Sequence, residues 1–182
     1  MPNETAPSAS LGRAPNNPVV VVAYNPSWPQ QFEALRSRLA SVLGHLTTAI
    51  EHVGSTAVPG LAAKPIIDID LLLKLPDDLP LAISELASIG YQHRGDLGIP
   101  SREAFHAPAG DLHHHLYVCP DNTEYQRHIA FRDYLRAHSK ESDFYASLKL
   151  QLAIRFRDDR EAYNNAKAEF VETILRIASL KK

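Results

Sequence analysis

Two aspartates stand two residues apart in an otherwise apolar run, Pro65-Ile66-Ile67-Asp68-Ile69-Asp70-Leu71-Leu72-Leu73. Residues i and i+2 of a strand share a face, so Asp68 and Asp70 present their carboxylates side by side. Like charges so close repel, and burying either one alone is expensive, which calls for a positive group between them. A divalent cation that prefers oxygen ligands answers that need. Magnesium or manganese held by Asp68 and Asp70 would in turn hold the phosphates of a nucleotide. Upstream, His52-Val53-Gly54-Ser55-Thr56-Ala57-Val58-Pro59-Gly60 offers a turn of matching chemistry. Gly54 lets the backbone approach a phosphate, while nearby N–H groups and the hydroxyls of Ser55 and Thr56 can donate to its oxygens. Lys64 either neutralises that phosphate or pairs with an acidic neighbour. The run is not a P-loop, because Lys64 lies four residues past Gly60 and no Ser or Thr follows it.

Alone, an Asp-x-Asp pair also fits the solvent face of an edge strand. Here Ile67, Ile69 and Leu71 form one apolar face while Ile66 and Leu72 bracket the aspartates on the other, the pattern of a strand covered on both sides. The second cluster is His113-His114-His115. On a strand His113, His115 and Tyr117 share one face, with His115 able to reach the aspartates from a neighbouring strand, and His114 joins Leu116 and Val118 as a core histidine. With His52 or His106 these imidazoles could bind zinc, although the spacing is not that of the helical zinc-hydrolase motif and the lone Cys119 adds no thiolate cluster. The last third carries many cations, including Arg127, Arg132, Arg136, Lys149, Arg160 and Lys167, which read mainly as solvated helix faces. Arg132, Tyr163 and Lys167 are candidates to lie over a cleft.

The elements that must position these groups follow from periodicity. Val19 to Ala23 is a β-branched run that reads as a short strand; Ser27 opens a helix with capping-box spacing to Gln30 and an apolar stripe at Phe32, Leu35, Leu39 and Leu43, up to Gly44. Thr48 to Val53 and residues 65 to 73 read as strands, and Asp77 or Asp78 caps a second helix that ends before Gly90. Tyr91 to Arg94 reads as a brief strand, and Ser101 to Ala107 and Leu112 to Val118 as a hairpin around Pro108-Ala109-Gly110-Asp111. After Pro120 three helices follow, opened by Asp121 with Glu124, by Ser142, and near Arg160. This order gives an α+β protein, in one domain or with a helical cap.

With 182 residues the chain can bury a core without staples, and its single cysteine cannot form an internal bridge. A formal charge of −2 gives no general affinity for long nucleic acid. Residues 1–17 read as a flexible leader and 18–182 as one domain. No apolar stretch is long enough to span a membrane, so the protein is expected in the cytoplasm.

The run from Tyr24-Asn25-Pro26-Ser27-Trp28 through His52 to Ile69, with Phe131-Arg132-Asp133-Tyr134-Leu135-Arg136 and Tyr163-Asn164-Asn165-Ala166-Lys167, closely resembles the GrpB family. That resemblance implies the nucleotidyltransferase superfamily, with its small mixed β-sheet flanked by helices and, here, a helical C-terminal third. It places Gly54 and Ser55 at a nucleoside triphosphate and Asp68 and Asp70 on the metal. The implied reaction is attack of an unidentified acceptor on the α-phosphorus with loss of pyrophosphate; the alternatives are a nucleotide-binding module without catalysis and a zinc-dependent hydrolase. The superfamily pattern has a third carboxylate on a later strand. This chain departs from it, because that strand reads Leu112-His113-His114-His115-Leu116-Tyr117-Val118, leaving histidine or tyrosine at the position and Glu103 as a substitute from the strand before.

Overall fold

The computed structural model describes residues 18–180. The expected leader, 1–17, lies outside them. Five strands form one mixed sheet in the order β1-β2-β5-β4-β3, with β1 Thr47–Val53, β2 Ile67–Leu73, β3 Gln92–His93, β4 Glu103–His106 and β5 His114–Cys119. β2 runs parallel to β5, and every other neighbouring pair is antiparallel.

Alternation along β2 separates the two faces. Ile67, Ile69, Leu71 and Leu73 pack with Leu116 and Val118 of β5 against α1 (Trp28–Leu43) and α2 (Leu79–Ser88), through Leu35, Leu39, Leu43, Ala82 and Leu86. Asp68, Asp70 and Leu72 face the other way, toward α3 (Asn122–Ala137), α4 (Ser139–Arg155) and α5 (Arg160–Ser179). That second layer has its own apolar contacts: Val58 and Leu61, just past the Gly-Ser turn, pack on Tyr134, Leu135, Tyr145 and Ile174. The turn is thereby fixed between sheet and helices, on the aspartate side.

Two boundaries and two helix caps differ from the sequence expectation for local reasons. Val19 to Ala23 forms no strand; Val22 makes one bridge to Ala63 while the Val19 N–H bonds the Arg157 carbonyl, so its partners belong to two separate segments and no ladder develops. Ser27 takes near-helical dihedrals (φ −80°, ψ −13°) and makes no side-chain cap, and Asn25 instead accepts the Ser27 N–H on its side chain at 2.9 Å. Asp78 occupies the N-cap position of α2 as expected but makes no side-chain cap, because Pro76–Asp78 forms a 3-10 turn that leads directly into the helix. Ser142 is buried inside α4, which starts at Ser139. Asp121 does cap α3, accepting the Thr123 N–H at 2.8 Å.

Candidate functional site

The Gly-Ser turn is held by its neighbours more tightly than a free loop. Gly54 adopts φ +69°, a conformation side chains disfavour, and a Cβ there would overlap the Asp68 carboxylate. Glycine is thus required by the aspartate itself. Ser55–Ala57 then forms a 3-10 turn. The Thr56 hydroxyl donates to the Ile66 carbonyl (3.2 Å) and accepts from His52 Nε2 (2.9 Å), so it is consumed inside the protein. His52 is buried, stacks on Phe32 and lies outside the cavity described below; burial lowers its pKa to about 4 and keeps it neutral. Arg132 reaches from α3 to the His52 carbonyl (2.9 Å) and Glu51 (2.6 Å), and Arg136 to the Ala57 carbonyl (2.9 Å). Arg132 is buried at that junction, not over the cleft and not on a solvated helix face.

The groups that meet the aspartates are histidines. β2 and β5 are in register at Asp68 with His115 and at Asp70 with Tyr117. His115 Nδ1 donates to Asp68 Oδ1 at 2.8 Å, and His128 Nδ1, from α3, donates to Asp70 Oδ2 at 2.7 Å. Burial pushes the Asp68 carboxyl upward, but the hydrogen bond and charge of His115 and the charges of Lys64 and Lys167 outweigh it, so its pKa lies below the usual carboxylate range. Asp70 is fully buried, and desolvation holds its pKa above that range against the pull of His128. Its Oδ1 is buried with no hydrogen-bond partner among the described residues.

An orphaned carboxylate oxygen beside a second carboxylate that opens on a cavity fits an oxygen-seeking cation. Magnesium or manganese needs only one or two protein carboxylates when phosphates and water complete its sphere. Zinc would need more. Among the described residues no three His, Cys, Asp or Glu side chains are grouped to hold a metal, and His113 is exposed and does not line the cavity. Glu103 does not replace the third carboxylate. It pairs in register with Val118, on the opposite face of the sheet, and bonds His93 Nε2 at 2.6 Å.

A cavity of about 550 Å³ opens between this sheet face and helices α4 and α5. Ser55, Asp68, His115 and Tyr117 line the sheet side; Lys149, Arg160, Tyr163 and Lys167 line the helical side, with Lys64 at the edge between them. Among the described residues Asp68 is its only carboxylate lining group, against five lysines and arginines once Arg94 is included. Lys64 and Lys167 stand over the Tyr163 ring at 5.7 and 4.9 Å. Burial, then the charges of Lys167 and Arg160, lowers the Lys64 pKa to about 8. Burial also raises the Tyr117 and Tyr163 phenols to about 12, so both remain protonated donors.

The expected set therefore divides. Gly54, Ser55, Lys64, Asp68, His115, Tyr117, Tyr163 and Lys167 are brought to or against the cavity, and Asp70 is fully buried beside His128 and is not part of its lining, whereas His52, Arg132 and the Thr56 hydroxyl support the turn and His113 is exposed just before β5, its ring 6.1 Å from that of His115. His114 is a satisfied core histidine, donating to the Leu112 carbonyl and accepting from Tyr91. Lys149 and His128 were not singled out by sequence reasoning. Lys149 is 2% exposed, not on a solvated face. Helical spacing identifies a face but not its neighbour, and the only signal for either residue was a polar group on a helix required to cover the aspartate strand.

Fold and site together define an α+β protein with a cleft of mostly cationic charged lining between a mixed sheet and a helical third. Residues 18–176 match the model of the GrpB protein family, and the chain belongs to that family. It is 36% identical over 168 residues to the glutamate-rich protein GrpB of Alkalihalophilus pseudofirmus, covering 86% of this chain and 94% of that one. It is 35% identical over 160 residues to the UPF0157 protein YqkA of Bacillus subtilis, covering 87% of this chain but 47% of that one, so it spans about half that relative's length. The crystal structure of conserved protein GrpB from Enterococcus faecalis superposes with a TM-score of 0.81 at 36% identity, over 89% of this chain and 98% of that one. No helix among the described residues is long and apolar enough to cross a membrane.

Proposed function

We propose that the protein binds a nucleoside triphosphate with magnesium or manganese in the cleft between β2 and helices α4 and α5, and transfers the nucleotide to an unidentified acceptor. The observation that carries this reading is the cavity's charge layout, with Asp68 and Ser55 on one side and Lys64, Lys167 and Arg160 facing them across the space. Such a layout suits a metal-bridged polyphosphate, with Ser55 and the turn N–H groups on its oxygens and the cations along its length. The ion, held by Asp68 and Asp70, would supply charge neutralisation at the phosphates. Lys64, Lys167 and Arg160 orient the triphosphate, and α4 with α5 screens it from water. His115 keeps Asp68 ionised and aimed.

The chain offers His115 and Tyr117 where the superfamily pattern would have a third carboxylate, and this favours a second reading, nucleotide binding without transfer. Titration of the protein with ATP, GTP, CTP and UTP in magnesium, followed by calorimetry and by pyrophosphate release, tests both. Binding with release supports transfer, and binding without release supports the module. Failure of all four nucleotides to bind contradicts the proposal.

A further inference from the structure

Lys149 carries a buried amine that no internal anion satisfies. Its Nζ makes no hydrogen bond, rests 4.5 Å from the centroid of the Tyr145 ring, and lines the cavity. Lys167 reaches the same space from α5 and Lys64 from the segment before β2. Among the described residues none of the three lysines forms an ion pair. A contact with an aromatic face offsets only part of the cost of burying an ammonium. A cluster so arranged is electrically incomplete until an anion of several charges enters.

We infer that Lys149, with Lys64 and Lys167, is a receptor for a compact polyphosphate group that binds without divalent metal and draws protons from solvent as it binds. The inference rests on the proposed function only in placing the ligand in this cavity. It requires neither the aspartate-bound ion nor a nucleobase. The charged and titratable groups around Lys149 are Tyr145 on its own helix, Tyr163, Lys167 and Arg160 on α5, Lys64 on the loop and Asp68 on β2. Burial, then the Lys167 charge, lowers the Lys149 pKa to about 7. Burial likewise lowers Lys64 and Lys167. A phosphate placed among these amines favours their charged forms, so each lysine that is neutral beforehand takes up a proton. At pH 8 the uptake approaches about 1 to 1.5 protons per anion, with Lys149 supplying the larger share.

The experiment is calorimetry on the full chain at pH 8 in EDTA, with inorganic tripolyphosphate as probe and two buffers of different ionisation enthalpy. Orthophosphate and ATP serve as further arms, separating charge number from nucleotide recognition. The expected result is saturable tripolyphosphate binding, at least about tenfold tighter than orthophosphate, with net proton uptake. In Lys149→Met the affinity falls about tenfold or more and the uptake drops by more than half; Lys167→Met, melted alongside it, provides a second folded variant if the first does not fold. Absence of tripolyphosphate binding in EDTA, or the same affinity and uptake in a folded Lys149→Met, overturns the inference. Metal-dependent ATP binding beside a silent tripolyphosphate titration would leave the proposed function standing while removing this inference. Tripolyphosphate binding with no nucleotide bound in magnesium would do the reverse.

Discussion

Replacing Lys149 by methionine removes an amine from the cavity wall while keeping most of the stem's volume, and the unliganded protein should become more stable. Lys149 titrates at about 7 in the fold against an ordinary 10.5. At about 1.36 kcal/mol for each pH unit between those values, the fold bears about 4 to 5 kcal/mol for this one group once the pH falls below 7. Loss of the contact with the Tyr145 ring and local relaxation return part of that, leaving a gain of about 2 to 4 kcal/mol for Lys149→Met. In a chain of this size that raises Tm by about 4 to 16 °C. The pH dependence has a fixed sign. Between about pH 7 and 10.5 the unfolded chain holds the Lys149 proton more tightly than the folded one, so wild-type stability rises with pH across that window. Lys149→Met lacks this contribution, and the two proteins should converge as the pH approaches 10. Urea denaturation of both at pH 7, 8, 9 and 10 measures the difference. A variant no more stable than wild type at pH 7, or a gap that does not close by pH 10, would refute the description of Lys149 as an unpaired buried amine.

Gly54→Ala combines a disfavoured φ with a clash against Asp68; it should lose about 2 kcal/mol or more of stability in denaturant and lose nucleotide binding in calorimetry, and a neutral result would mean that the turn is not held against the carboxylate. Arg132→Ala leaves Glu51 and the His52 carbonyl without their shared donor, at a cost of about 3 kcal/mol by chemical unfolding, with little loss expected if the Arg132 network is solvated. His52, buried and bonded to Thr56, should remain neutral down to about pH 4. An NMR titration midpoint at 6 or above would contradict its placement.

The faces of the sheet were legible because strand periodicity is two. Ile67, Ile69 and Leu71 had to fall on one side and Asp68 and Asp70 on the other, whatever surrounded them. The hairpin of β4 and β5 was legible from Pro108 to Asp111, and His115 was placed beside an aspartate once two strands were taken as neighbours. What the sequence could not specify was the packing of α3, α4 and α5 over that face. His128 and Lys149 sit on helices whose polar residues all fit a solvated surface equally well, and only the tertiary docking selects which of them turn inward. Arg132 was assigned to the cleft for the same reason, yet it reaches the backbone at the end of β1. The helix starts after Ser27 and Asp78 were legible, and what differed was the side-chain cap at each. Asn25 took the cap from Ser27, and the 3-10 turn at Pro76 removed the need for one at Asp78.

The central claim, that Asp68 anchors a metal-bridged nucleotide in the cationic cleft, is tested most directly by calorimetry of Asp68→Asn beside wild type, with each of the four nucleoside triphosphates, with and without magnesium or manganese. The substitution keeps the side chain's size and its contact with His115. Wild type should bind at least one nucleotide more tightly when the metal is present, and Asp68→Asn should remain folded and lose that metal-dependent increment. Equal metal-dependent binding by the folded variant would contradict the assignment and place the ligand elsewhere.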